Sequence, residues 1–222
     1  MLALLKSTIL TISALFPIVN PLGNAPLFLS MTNRYSEEDR RVLSTRIALN
    51  SFFLLIASYL TGTHILAFFG ISIPVVQVGG GLVLTSTGWT MLRQKSNEAE
   101  AKEGVSRTVD RSALSEKAFY PLTLPLTVGP GSISVAITLG ANEPHADHLI
   151  PLSIIGALIG SLVISGCVYL CYAFADGLAR ALGATAMSVI MRLSSFLLVC
   201  IGVQIIWNGV SALLKSILVV AH

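Results

Sequence analysis

The sequence predicts an all-α, polytopic membrane protein: six transmembrane helices built as two inverted-topology three-helix repeats, with the first and fourth spans broken. Three observations predict this fold class. Hydrophobic residues make up 54% of the 222 residues and charged residues only 11%, against about 25% charged in an ordinary soluble domain. Residues 7–33, 47–92, 118–142, 149–175 and 193–214 contain no Asp, Glu, Lys or Arg. A proline-rich motif in the first of these runs returns in the third.

A helix needs about 20 apolar residues to cross the hydrocarbon core, and the run 47–92 is long enough for two crossings. The expected spans are 4–32, 46–67, 72–93, 118–141, 149–174 and 192–214. The opening MLALLKSTIL has no basic region before its apolar run, and the following NPLGNAP does not resemble a small-residue cleavage site. It is therefore read as the start of the first span rather than a signal peptide. GISIP (70–74) marks the turn between the second and third spans. The stretch 94–117 mixes charges without aliphatic periodicity and reads as a solvated loop. The chain thus divides into a first repeat (1–94), a loop (95–117) and a second repeat (118–222).

Charge placement sets the expected orientation. Arg34, Arg40, Arg41 and Arg46 follow span one, and Arg93, Lys95, Lys102, Arg107, Arg111 and Lys117 follow span three. Arg180 and Arg192 flank the connection between spans five and six, whereas Lys6 and Lys215 alone fall to the other side. Basic residues concentrate on the cytoplasmic side of membrane proteins. Both termini are accordingly expected outside the cytoplasm, with the 94–117 loop inside.

The internal repeat is the most informative feature. FPIVNPLGNAP (16–26) lies over YPLTLPLTVGP (120–130) at a constant offset of 104 residues, pairing Pro17, Pro21 and Pro26 with Pro121, Pro125 and Pro130. The third and sixth spans correspond more weakly at an offset of 115, with QVGGGLVL (77–84) over RLSSFLLV (192–199). Three crossings per repeat is an odd number, so the copies enter the membrane in opposite directions. That is the architecture of many secondary transporters, whose sites lie where two discontinuous helices meet.

Each of the three prolines is expected to break its helix, because proline lacks the amide donor and clashes one turn back. Broken backbone is tolerated at membrane depth only beside protein or a water-filled cavity. Half-helix starts attract anions and half-helix ends attract cations, so two antiparallel breaks suit a zwitterion. The candidate substrate-binding residues are Asn20, Pro21, Gly23 and Asn24 at the first break, and Thr123, Thr127, Gly129, Pro130, Gly131 and Ser132 at the second. Asn50, Gln77, Gln204 and Asn208 are further polar residues within spans, and Gly79, Gly80, Gly81 and Gly88 make a face for close helix packing.

Other chemistries find no footing. There is no P-loop, HExxH or GxSxG, and no intramembrane pair of acids or histidines, so no enzyme, catalytic residue or cofactor is expected. Cys167, Cys171 and Cys200 fall inside spans as small packing residues, without metal spacing. EPHADH (143–148) reads as an exposed polar turn in preference to a metal site. No Asp or Glu lies in a span to couple protons or sodium. The basic residues track topology and give no support for nucleic-acid binding.

With NPLGNAP, LPLTVGPGSI and FLLVCIGVQIIWNGV in view, the chain resembles the MarC family of bacterial inner-membrane proteins along essentially its whole length. The family's early Asn-Pro-x-Gly break corresponds to Asn20, Pro21, Gly23 and Asn24, and its Gly-Pro-Gly break to Gly129, Pro130 and Gly131. The resemblance implies a six-helix inverted-repeat fold in the bacterial plasma membrane, where the charge pattern read above puts both termini in the periplasm. A family relative is described as a transporter of small neutral amino acids such as glycine and alanine. The expected function is therefore secondary transport of such solutes at a site between the broken helices near the midplane. The expected partners are the solute and the lipid bilayer, with the oligomeric state open. The alternatives are a non-transporting scaffold or sensor, or a passive small-solute channel.

Overall fold

The computed structural model describes residues 2–93, 111–142 and 150–220, and the described residues are helical with no strand among them. Most of the 94–117 stretch and the EPHADH turn lie outside the described residues.

The first span is interrupted but not sharply bent. Helix α1 (Leu2–Val19) and helix α2 (Pro21–Met31) meet at Asn20, whose φ of 48° and ψ of 57° are left-handed, and Leu4–Met31 runs on as one apolar stretch of 28 residues. Asparagine tolerates this region better than other non-glycine residues because its side chain bonds locally. Here the Gly23 amide donates to Asn20 Oδ1 at 3.2 Å, capping α2 with Pro21 in its first turn. The expectation that all three prolines break the helix is corrected: Pro17 and Pro26 lie inside α1 and α2. A proline within a helix removes one hydrogen bond, and bundle neighbours hold the helix together across that gap.

Helix α3 (Glu37–Phe68) starts well before the span expected at 46. Hydropathy marks the hydrocarbon core, whereas the helix start is set by Ser36, whose hydroxyl accepts the Asp39 amide at 3.1 Å. At 32 residues α3 is about 48 Å long, half as long again as the hydrocarbon core is thick. It closes at Gly70, with φ of +66°, the left-handed position that glycine fills at helix ends. The chain then turns into helix α4 (Ile73–Arg93), as GISIP predicts.

Helix α5 (Arg111–Lys117) occupies the end of the connection expected at 95–117. An irregular, proline-interrupted segment, Ala118–Thr127, leads to helix α6 (Pro130–Ala141), and the two are bent by 71° at residues 128–129. Tyr120 and Leu124 inside the segment are extended, as residues preceding proline tend to be. Helices α7 (Ile150–Ala173) and α8 (Ala175–Val220) complete the chain, with α8 interrupted at Gly183, where φ is 75°.

Packing is organised around close approaches at small residues. α4 runs along α8, where a Cβ on Gly81 would come within 2.8 Å of the Gly202 carbonyl and one on Gly88 within 2.9 Å of the Ser195 carbonyl. Gly80 turns to Ser134 of α6, so the glycines of α4 serve packing on two sides. α1 packs on α7 through Thr11 at Gly160, and α3 on α6 through Tyr59 at Gly140. At one end of the molecule Arg40 pairs with Asp176, and Lys117 donates to the Tyr35 hydroxyl at 2.8 Å.

Among the described residues four helices are long and apolar enough to cross a membrane, or five when the bent pair counts as one span. The expected third span is the one left out. α4 has the length, 21 residues, but Gly79, Gly80, Gly81 and Gly88 and its threonines dilute its apolar character.

Candidate functional site

The two interruptions meet through one side chain. Asn24, buried in the first turn of α2, donates one amide hydrogen to the Val19 carbonyl at 2.9 Å and the other to the Leu126 carbonyl at 3.0 Å. The first bond closes the end of α1, and the second crosses to the end of the irregular segment Ala118–Thr127. Asn20 is equally buried, but its Nδ2 has no protein partner.

The irregular segment Ala118–Thr127 is held by its threonines. Prolines 121 and 125 supply no amide hydrogen. Two residues after each, a hydroxyl donates instead: Thr123 Oγ1 to the Ala118 carbonyl at 2.6 Å, and Thr127 Oγ1 to the Leu122 carbonyl at 2.7 Å. The Val128 amide reaches Thr123 O at 2.9 Å, five residues back. Asn50 of α3 braces Thr123 from outside at 3.4 Å.

Tyr172 of α7 fixes the second break, and the sequence reading missed it. Its hydroxyl lies 2.9 Å from Thr127 Oγ1. Because the threonine proton is committed to Leu122, Tyr172 donates. Its ring stacks on Phe28 of α2, with centroids 4.5 Å apart and planes 10° from parallel. Tyr172 therefore ties both interrupted spans to α7. The tandem Pro-Leu-Thr of YPLTLPLT is the signal from which the threonine brackets could have been found; nothing local in sequence marks the tyrosine.

The two half-helix starts differ. α2 is capped by its own Asn20, whereas α6 begins at Gly129 and Pro130 with no side-chain cap. The amides of Gly131 and Ser132, in its first turn, have no intrahelical acceptor. They adjoin a cavity of about 60 Å³ lined by Asn24, Thr127, Gly129, Pro130, Gly131 and Ser132, with Ile18, Leu84, Thr87, Met91 and Leu198 completing the wall. A water occupies about 30 Å³ in the liquid, so the space admits a solute of only a few heavy atoms. The Ser132 hydroxyl donates back to Gly129 O at 2.9 Å, leaving its lone pairs for the cavity.

Six of the ten candidate residues line this cavity. Asn20, Pro21, Gly23 and Thr123 do not: they shape the breaks from behind it. Of the other polar residues, Gln77 meets Thr138 at 3.5 Å, and Gln204 donates to Asn208 at 2.9 Å along an exposed face of α8.

A bundle of long apolar helices, with two spans interrupted around a small polar cavity, defines a multi-pass integral membrane protein. The model of the MarC family integral membrane proteins matches residues 5–214. The chain is 32% identical to the inner membrane protein MarC of Citrobacter koseri, and 31% identical to those of Salmonella typhimurium and Escherichia coli O1:K1. In each case 97% of this chain and 99% of the relative are covered. This chain belongs to the MarC family and is an inner-membrane, multi-pass protein. No solved structure matches it.

Proposed function

We propose that the protein is a secondary transporter of small neutral amino acids or similar small solutes, bound near the midplane between the two interrupted spans. The observation that carries this reading is the uncapped start of α6 opening onto a cavity of solute size, beside a side chain that bridges both breaks. Free amides at a helix start favour an anion such as a carboxylate. The Leu126 carbonyl and the Ser132 hydroxyl, on the same cavity, offer lone pairs to an ammonium. The lining has no ionised side chain, which suits a solute whose own charges cancel. On this reading the chain carries its solute across the bilayer and performs no reaction on it.

An inverted six-span repeat is part of the same proposal, with α4 as the remaining span. Its support is a matched pattern of burial. Leu43, Ile47, Ser51, Leu55, Tyr59 and Gly62 along α3 recur 113 residues later as Gly156, Gly160, Ile164, Val168, Tyr172 and Ala175, and all twelve are buried. Packing of α1 on α7 likewise answers packing of α3 on α6. The Arg40–Asp176 and Lys117–Tyr35 contacts gather the basic connections at one end, which supports that end as cytoplasmic and both termini as periplasmic.

Uptake into proteoliposomes, with a panel of small amino acids, tests the function. Flux or exchange is expected for glycine-sized zwitterions. Gly131→Ala, whose methyl would sit 3.0 Å from Leu84, should reduce it without lowering thermal stability. Folded protein that neither moves nor binds any small solute overturns the proposal.

A further inference from the structure

A second, larger cavity of about 370 Å³ lies in line with the first along the same helices. On α1 it spans Ser13 to Ile18, before the break, whereas the smaller cavity takes Ile18 and Asn24. On α6 it meets Val135 and Thr138, and the smaller cavity ends at Ser132. On α8 it begins at Ile201, and the smaller cavity stops at Leu198. Three residues of helix separate the two in each of the last cases, about 4.5 Å at 1.5 Å per residue. Ile18 alone lines both.

We infer that the larger cavity is the entrance vestibule of the smaller one and that Ile18 is the gate between them. This rests on the transport reading. Ile18 is buried in an apolar cluster with Leu84 and Leu198, against Val135 and Ile201. A one-layer apolar constriction excludes water and polar solutes without any plug. The gate also sits at the right place to move. It precedes by two residues the left-handed Asn20 where the helical dihedrals are interrupted, and hinges are residues at element ends that absorb such changes. Beyond it, Ser13, Gln77, Thr138 and Asn208 give the vestibule polar edges.

Thiol accessibility tests the gate without needing a solute. In a background with Cys167, Cys171 and Cys200 replaced by serine, single Ser13→Cys and Ser132→Cys proteins are labelled with a small, membrane-impermeant methanethiosulfonate. Right-side-out and inverted vesicles are compared. Ser13→Cys should label from one face only. From that face Ser132→Cys should label slowly, and Ile18→Ala should speed it about tenfold or more, equivalent to about 1.4 kcal/mol off the barrier. Ile18→Val should give a smaller increase, and Ser13→Cys labelling should be unchanged in both, showing an intact fold. Equal Ser132→Cys rates with and without Ile18→Ala, or a Ser13→Cys thiol closed from both faces, overturn the inference. Faster labelling with no flux of any solute would sink the transport reading while leaving the gate. Flux with unchanged labelling would do the reverse.

Discussion

Asn24→Ala is the most telling single change for the architecture. The side chain is 4% exposed, and its amide satisfies two carbonyls that belong to different interrupted spans, Val19 at 2.9 Å and Leu126 at 3.0 Å. Alanine leaves both acceptors unmatched. Each buried polar group stranded in this way costs about 1–3 kcal/mol. Interhelical hydrogen bonds in lipid average nearer 0.6 kcal/mol, roughly, because the unfolded chain finds other partners in the membrane. The Asn24 change strands two carbonyls at once at a position 4% exposed, so the larger figure governs and the expected loss is about 2 kcal/mol or more. Reversible unfolding in mixed lipid–SDS micelles measures it. Asn24→Asp keeps the shape but presents an acceptor to two carbonyl oxygens, and should lose at least as much. A change below about 0.5 kcal/mol for Asn24→Ala, the range of ordinary surface substitutions, would refute the idea that this residue joins the two breaks.

Three further outcomes are expected from the same assay. Tyr172→Phe keeps the stack on Phe28 and removes the hydroxyl with its bond to Thr127, costing about 0.5–1.5 kcal/mol, whereas Tyr172→Ala should cost about 3–5 kcal/mol. Gly140→Ala drives a methyl into the Tyr59 backbone carbonyl and should destabilise by about 1–3 kcal/mol; Gly166→Ala, with open space around it, should be neutral or stabilise by up to about 1 kcal/mol. A double-mutant cycle on Arg40 and Asp176, whose side chains are 14% and 32% exposed, should give a coupling of about 0.2–1 kcal/mol that shrinks at high salt.

Much of this fold is legible as hydrophobic runs and prolines. The turn at Gly70 and the interruptions near Asn20 and Gly129 follow from backbone chemistry that a sequence displays directly. The asymmetry between the breaks does not. Matched prolines imply matched kinks, but Asn20 closes its own helix and leaves the span nearly continuous, while the counterpart position, Leu124, has no side chain able to cap. The second span instead bends one turn later, at 128–129. Thr123 and Thr127 read as free donors in sequence, yet their protons go to carbonyls five residues back. That spacing follows from the extended residues before each proline, Tyr120 and Leu124, which no apolar periodicity announces. Tyr172 and Ile18 were invisible for a simpler reason: a tyrosine and an isoleucine in apolar runs look like any other core residues until the packing is known.

The glycine face of α4 bears on how the protein is made. A helix too rich in glycine and threonine to partition strongly into lipid depends on neighbours for its place in the bilayer. The neighbours that cover this face, α6 and α8, are both synthesised after it. On the six-span proposal, α4 is therefore expected to settle in the bilayer only after the helices that cover its glycine face, α6 and α8, have been made.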